Sequence, residues 1–199
     1  VEELDTFDEI DSRLQGHPDM TKCPGIDMSS GSLGQGLSPG VGMAIGAKLA
    51  GKDFRTWVML GDGEIQEGQI WEASMVAERY RLDNLVAILD YNGLQQYGWT
   101  NTRVSAKRTM RVSVENPGKI WQAWGWRVLE TEGHDIGAIL NTCREAMTTI
   151  GRPTVIIAKT VKGKGVSYME NDYLWHSKPM VEVDLTRAME DLAGTDAGR

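Results

Sequence analysis

The chain has 199 residues, of which 41% are hydrophobic and 25% charged, a composition typical of a globular protein with its own core. Its formal net charge of −7 argues against a general nucleic-acid-binding surface, and no apolar run approaches the roughly 18 residues that span a membrane. The two cysteines, Cys23 and Cys143, have no metal-ligand spacing and predict reduced thiols in a cytoplasmic protein.

The N-terminal stretch is predicted to form a helix, because Leu4, Phe7, Ile10 and Leu14 recur at three- and four-residue spacing. The chain starts with valine, not with an initiator methionine, and it starts inside this helical pattern. We therefore expect a single domain over residues 1–199 from which an N-terminal segment is missing.

The next elements alternate between strands and helices. Four apolar runs rich in β-branched residues predict strands at Thr56–Leu60, Leu85–Asp90, Trp126–Glu130 and Thr154–Thr160. Helical spacing predicts helices over Pro39–Ala50, Gln69–Tyr80, Lys119–Trp124 and Asp135–Ile150, and a last one from about Asp184. The strand runs have little polar alternation, which is typical of strands buried on both faces. The pattern predicts an α/β fold, a three-layer sandwich around a mainly parallel central sheet.

Residues 163–180 form a long irregular stretch, and such loops are more often functional than idle. Lys162 and Lys164, in VKGKG, either lie near phosphate groups or are solvated loop lysines. The glycine-rich segment GSLGQG, residues 31–36, resembles a dinucleotide-binding loop. Such a loop follows a strand, however, whereas this one follows CPGIDMSS, so we exclude that interpretation.

Oxygen-bearing side chains follow two successive predicted strands, at the edge where open α/β sheets bind ligands. Asp62 lies between Gly61 and Gly63, and Asn92 follows the next strand. Carboxylate and amide oxygens suit Mg²⁺, and the N–H groups of Gly63 and Glu64 would face a phosphate. A metal-bridged diphosphate therefore fits these turns; the alternative is that Asp62 supplies a turn and Asn92 a cap.

Several motifs resemble those of one enzyme family. GDGEIQEGQIWEAS, followed by LVAILDYNGLQ, resembles the thiamine-diphosphate signature of transketolases. LQGHPDM, PGIDMSSGSLGQGLSPGVGMAIGAK and GKGVSYMENDYLWHSKP resemble further transketolase segments, in the same order. The resemblance covers nearly all of residues 10–180. It looks closest to the N-terminal subunit of split transketolases, in which a partner chain carries the pyrimidine-binding domain.

The resemblance implies thiamine diphosphate as cofactor, held with Mg²⁺ or Ca²⁺. Asp62, the side chain of Asn92 and the main-chain oxygen of Leu94 would bind the metal. The other expected cofactor contacts lie beside its rings or its diphosphate: Gly31, Leu33, Gly61, Gly63, Glu64 and His176.

The resemblance also implies three catalytic side chains. Glu67 would belong to a proton relay toward a partner-chain glutamate on the cofactor's aminopyrimidine; the alternative is a solvated carboxylate in the first turn of a helix. His17 would hydrogen-bond a hydroxyl of the transferred two-carbon unit, and His176 would lie near the diphosphate and the substrate oxygens. Alone, each of these histidines would more often be a surface or turn residue. His134 is expected to have a loop or capping role.

The implied reaction moves a two-carbon ketol unit from a ketose to an aldose, with sugar phosphates as the default substrates. Because a pyrimidine-domain subunit would complete the site, we expect activity only in a complex, a heterotetramer with two copies of each chain. Alternatives are a deoxyxylulose-phosphate synthase, a 2-oxoacid dehydrogenase E1 or a non-catalytic assembly subunit. The GHP and WHSKP motifs argue against the first two, and intact Asp62, Asn92 and Glu67 argue against the third.

Overall fold

A parallel sheet of four strands forms the centre of the molecule, in a computed structural model that describes residues 2–96 and 116–196. In chain order the strands are β1 (Thr56–Gly61), β2 (Leu85–Tyr91), β3 (Arg127–Glu132) and β4 (Thr154–Lys159). They lie side by side in the order β1-β2-β4-β3, and every pairing is parallel. The predicted α/β fold with a parallel sheet is confirmed, with strand ends shifted by at most two residues.

The helices of the described residues are α1 (Leu37–Leu49), α2 (Gly68–Arg79), α3 (Pro117–Ala123), α4 (Ile136–Met147) and α5 (Glu182–Asp196). Short 3-10 helices occur at Glu2–Thr6, Glu64–Gln66 and Tyr173–His176. Apart from the N-terminal helix, each predicted helix is present, with ends shifted by at most three residues. Within the parts of the chain that the structure describes, no helix has the length and apolar character to cross a membrane.

Helices cover both faces of the sheet, as the alternation of side chains along β2 makes plain. Leu85, Ala87 and Leu89 belong to a large core shared with α1, α2 and α3. Val86 and Ile88 point the other way, into a smaller core beneath α4. Because successive side chains of a strand face opposite sides, both faces of the central strand need apolar residues.

The predicted N-terminal helix is wrong beyond its first turn. Only Glu2–Thr6 is helical, as a 3-10 helix. Asp8 and Asp11 have φ angles of 63° and 67°, which a right-handed helix does not allow. The chain instead folds back, so that the Asp8 N–H donates to the Leu14 carbonyl at 2.8 Å. Of the four apolar residues that suggested the helix, Leu4, Phe7 and Ile10 stay exposed to solvent, Ile10 by 95%, and only Leu14 is half-buried.

The start of α1 also differs from the prediction, which placed the first helical residue at Pro39. The helix begins at Leu37, with Gly36 in the capping position. Pro39 still lies in the first turn, where a backbone N–H has no partner within the helix and its absence costs nothing. Leu37 is fully buried, so its packing favours the earlier start.

Candidate active site

The carboxyl ends of β1 and β2 meet at one edge of the sheet and carry the candidate site. Gly61 is opposite Asp90 in the parallel register, and the Asp62 N–H continues the ladder by donating to the Asp90 carbonyl at 3.2 Å. Asp62 Oδ2 accepts the Gly93 N–H at 2.6 Å. The turn after β1 is therefore tied directly to the turn after β2.

Asp62 is a buried carboxylate, only 2% exposed. The pKa of Asp62 is raised to about 6, chiefly by burial and to a smaller extent by the neighbouring Asp90 charge, whereas the Gly93 N–H favours the ionised form and opposes the rise. No salt bridge to Asp62 occurs within residues 2–96 and 116–194. A buried charge normally has a partner, and a bound cation would supply one.

Asn92 lies beside Asp62 with its amide held in a fixed orientation. Its Nδ2 donates to Asp90 Oδ1 at 3.3 Å, and its Oδ1 accepts the Leu94 N–H at 2.9 Å. Thr160 Oγ1 also donates to Asp90 Oδ1. An amide oxygen has a second lone pair, so Asn92 Oδ1 retains capacity for a cation.

The donor set at these turns fits a hard divalent cation. The described residues contain no group of three or more His, Cys, Asp or Glu side chains that would hold a metal by themselves. One carboxylate, one amide oxygen and one main-chain oxygen form a sparse ligand set. Mg²⁺ accepts such a set because waters and phosphate oxygens fill its remaining positions.

A cavity of about 430 Å³ opens beside the two turns. Its wall contains most of the residues that the sequence predicted for the site: Leu33, Gly61, Asp62, Gly63, Glu64, Glu67, Asn92, Leu94 and His176. Lys162, for which the sequence left two roles open, also lines it. Gln66, Gln95, Gln96 and Tyr173 line it too and were not predicted. The position of Tyr173 three residues before the WHSKP histidine was the available signal for it.

His17 and Gly31 lie outside this wall, against each other. Gly31 has a φ of +143°, and a Cβ at this position would come within 2.5 Å of the His17 ring. The Ser30 N–H donates to the Pro18 carbonyl at 3.3 Å, which keeps the two segments side by side. Both residues are exposed. The structure thus brings His17 to the glycine-rich turn but does not place it in the cavity.

His134 is outside the cavity but touches the backbone that leads into it. Its Nε2 accepts the Val161 N–H at 2.7 Å, one residue before Lys162. The Gly133 N–H donates to the Lys159 carbonyl at 2.7 Å. The His134 ring therefore holds the chain leaving β4 in place, which agrees with the loop role expected for it.

The glycine-rich turn at residues 31–36 lies between a segment without regular structure and the start of α1. No strand precedes it in residues 2–30, so the exclusion of a dinucleotide loop is confirmed. Leu33 is 59% exposed at the cavity wall, and Glu67 and His176 are exposed as well. The cavity is therefore open to solvent along one side.

Comparisons with known proteins identify the family. The family described as transketolase, thiamine diphosphate binding domain, matches residues 1–197. An apulose-4-phosphate transketolase subunit of Phocaeicola vulgatus is 46% identical over 175 residues, which cover 88% of this chain and 59% of that protein. A 6-deoxy-6-sulfo-D-fructose transketolase subunit of Clostridium sp. is 36% identical over 192 residues, covering 96% of this chain and 67% of that protein.

A solved structure agrees with the sequence relatives. The crystal structure of transketolase from Campylobacter jejuni superposes with a TM-score of 0.84 at 31% identity, over 96% of this chain and 30% of that one. The chain thus spans about three-fifths of the first subunit relative and under a third of this transketolase. With the family matched over residues 1–197, the chain belongs to the transketolases, through their thiamine diphosphate-binding domain.

Proposed function

We propose that this chain is the thiamine-diphosphate-binding subunit of a split transketolase. The observation that carries the proposal is the buried Asp62 carboxylate, which has no cationic partner in the described residues and lies beside Asn92 at a cavity wall. Both sequence relatives described above are named as transketolase subunits, which supports a division of the enzyme between chains. The whole enzyme would move a two-carbon ketol unit from a ketose to an aldose.

Asp62, the Asn92 side chain and the Leu94 main-chain oxygen would hold Mg²⁺, or Ca²⁺ in its place. The metal, the N–H groups of Gly63 and Glu64 and, in this cavity, the Lys162 ammonium would together offset the charge of a diphosphate. When bound, thiamine diphosphate supplies the electron sink that allows a carbon–carbon bond next to a carbonyl to break.

The side chains around the cavity would handle protons and orient the sugar. Glu67 occupies the N-cap position of α2, but its side chain makes no capping hydrogen bond there. Its carboxylate is therefore available to a second chain. We propose that it relays a proton to a glutamate of the partner subunit. His176 would donate to diphosphate and substrate oxygens. His17, beside the glycine-rich turn, would hydrogen-bond the transferred unit.

The partner in this proposal is a pyrimidine-domain transketolase subunit, in a heterotetramer of two copies of each chain. The open side of the cavity, where Leu33, Glu67 and His176 are exposed, is where a second chain would complete the site. We place the assembly in the cytoplasm, since both cysteines of the described residues are free thiols.

The substrates are proposed to be sugar phosphates. The two subunit relatives are named for different sugars, apulose-4-phosphate and 6-deoxy-6-sulfo-D-fructose. Because relatives of this cofactor domain are named for such different sugars, we propose that the partner chain supplies much of the sugar recognition.

The test is a titration of the chain with thiamine diphosphate and Mg²⁺, alone and together with the partner subunit. We expect metal-dependent binding, and ketol transfer only when both chains are present. Asp62→Ala should abolish the metal-dependent binding, whereas Asp53→Ala, which changes an exposed aspartate, should not. Absence of binding by the wild-type chain under both conditions would overturn the proposal and leave the non-catalytic assembly subunit.

A further inference from the structure

The Glu64 side chain joins two turns that are distant in sequence. Its Oε1 accepts the Gly34 N–H at 2.8 Å, and its Oε2 accepts the Gly61 N–H at 3.0 Å. One carboxylate therefore connects the glycine-rich turn at residues 31–36 to the end of β1. Hydrogen bonds to a charged acceptor are roughly twice as strong as those between neutral groups.

The glycine-rich turn also packs directly onto the start of α2. Gln69 Nε2 donates to the Leu33 carbonyl at 3.3 Å. Gly34 has a φ of +77°, and a Cβ there would come within 2.8 Å of the Glu67 Cβ. The backbone is thus held at Leu33 by Gln69 and at the next residue by Glu64. Between these two contacts the Leu33 side chain is presented at the cavity wall, 59% exposed.

Besides the Glu64 contact at Gly61, the turn after β1 has ties that do not involve Glu64. In the sheet formed by the described residues β1 is an edge strand, and directly after it the Asp62 N–H donates to the Asp90 carbonyl of β2. Asp62 Oδ2 adds the contact to the Gly93 N–H. Loss of the Glu64 carboxylate would therefore release the glycine-rich turn while the metal and diphosphate end of the cavity keeps its ties.

We propose that Glu64 is a positioning residue that sets the place of Leu33 in the cofactor site. The inference rests on the proposed function. The metal and diphosphate end of the cavity is polar, with Asp62, Asn92 and Lys162, whereas Leu33 offers an exposed apolar surface to the ring portion of the cofactor. Glu64 touches neither part of the ligand with its carboxylate, which is occupied by two backbone N–H groups.

The test compares two probes on the chain assembled with its partner subunit: thiamine diphosphate with Mg²⁺, and inorganic diphosphate with Mg²⁺. Glu64→Gln preserves the size of the side chain but replaces one carboxylate oxygen by an NH₂ group. One of the two backbone N–H groups, that of Gly34 or that of Gly61, then loses its acceptor. We expect it to weaken thiamine diphosphate binding about tenfold or more and to change inorganic diphosphate binding by less than about twofold. Glu190→Gln, the same change at an exposed position of α5, should alter neither affinity.

Equal losses for both probes would overturn the inference and leave the proposed function intact, because Glu64 would then act on the whole site. A wild-type complex that binds neither probe would overturn the proposed function and the inference with it.

A double variant provides the second check. If Glu64 acts through Leu33, Leu33→Ala should itself lose affinity for thiamine diphosphate. The double variant with Glu64→Gln and Leu33→Ala should then bind the cofactor no more weakly than whichever single variant has the lower affinity. Losses that add in full would show that the two residues act separately, which would overturn the inference.

Discussion

At the scale of single residues, Asp62 is expected to destabilise the metal-free fold. Burial raises its pKa from 3.8 to about 6, so between these values the folded chain keeps a proton that the unfolded chain has released. Stability should therefore fall as the pH rises through this window. Above it the buried charge costs about 3 kcal/mol, at about 1.4 kcal/mol per pKa unit. Asp62→Asn should recover up to that amount near neutral pH and very little at about pH 4.

Urea unfolding of the chain in the presence of a chelator measures this difference. Asp53→Asn, at an exposed position, serves as the control and should leave the free energy of unfolding unchanged. With Mg²⁺ and thiamine diphosphate present the order should reverse, because only the wild type gains stability from metal-dependent binding. An Asp62→Asn chain that is less stable than the wild type near neutral pH without metal would contradict the buried-charge argument.

His134 offers a second residue-scale prediction. His134→Phe retains a ring but removes the acceptor for the Val161 N–H. Because this contact is near solvent, we expect a loss of only about 1 kcal/mol in the free energy of unfolding. Thiamine diphosphate binding should weaken in addition, since Val161 precedes Lys162 at the cavity wall. Titration calorimetry measures the affinity for thiamine diphosphate. An unchanged affinity would mean that the His134–Val161 contact does not influence the position of Lys162 in the cavity.

Among the elements, the α1–β1 packing gives a prediction about glycines. A Cβ on Gly40 would come within 2.5 Å of Val58 Cγ2, whereas Gly42 has open space around its Cβ position. Gly42→Ala should stabilise the chain by about 0.5–1 kcal/mol through helix propensity. Gly40→Ala gains the same propensity but overpacks the core, and we expect a net loss of about 1–2 kcal/mol.

Denaturant unfolding of the two alanine variants compares identical substitutions on one helix. Val58→Ala combined with Gly40→Ala should cost less than the two single losses added together, because the smaller side chain makes room for the new methyl. Strict additivity, or a stabilised Gly40→Ala chain, would contradict the close contact.

The same elements indicate what the sequence could predict. β2 and β4 were recognisable because strands covered on both faces carry continuous apolar runs. The N-terminal helix failed because spacing alone cannot register the left-handed conformations of Asp8 and Asp11, each of which stops a helix. At the cavity, the GDG turn and Asn92 could be predicted because each directly follows an apolar run that reads as a strand. The Glu64 contacts to Gly34 and Gly61 could not be predicted, because they join a carboxylate to backbone N–H groups, which nearly every residue type supplies.

For the whole molecule, the exposure of the cavity side chains predicts dependence on a second chain. Glu67 occupies the N-cap position of α2, but its carboxylate makes no hydrogen bond to the start of the helix. His176 and Leu33 are exposed at the same cavity wall. A site open along one side admits water, which weakens electrostatic control over a bound cofactor. The isolated chain should therefore bind thiamine diphosphate but promote the loss of its C2 proton poorly.

Deuterium exchange at C2 of the bound cofactor, followed by NMR, separates binding from activation. In the assembled complex, Glu67→Gln should leave the affinity for thiamine diphosphate nearly unchanged and slow the exchange by about a hundredfold, the range of a lost acid–base group. In the isolated chain the same variant should have little effect, because the partner's share of the relay is missing there. Glu190→Gln should match the wild type in both settings. If Glu67→Gln slowed exchange equally with and without the partner, Glu67 would act without a second chain, and the divided active site would be wrong.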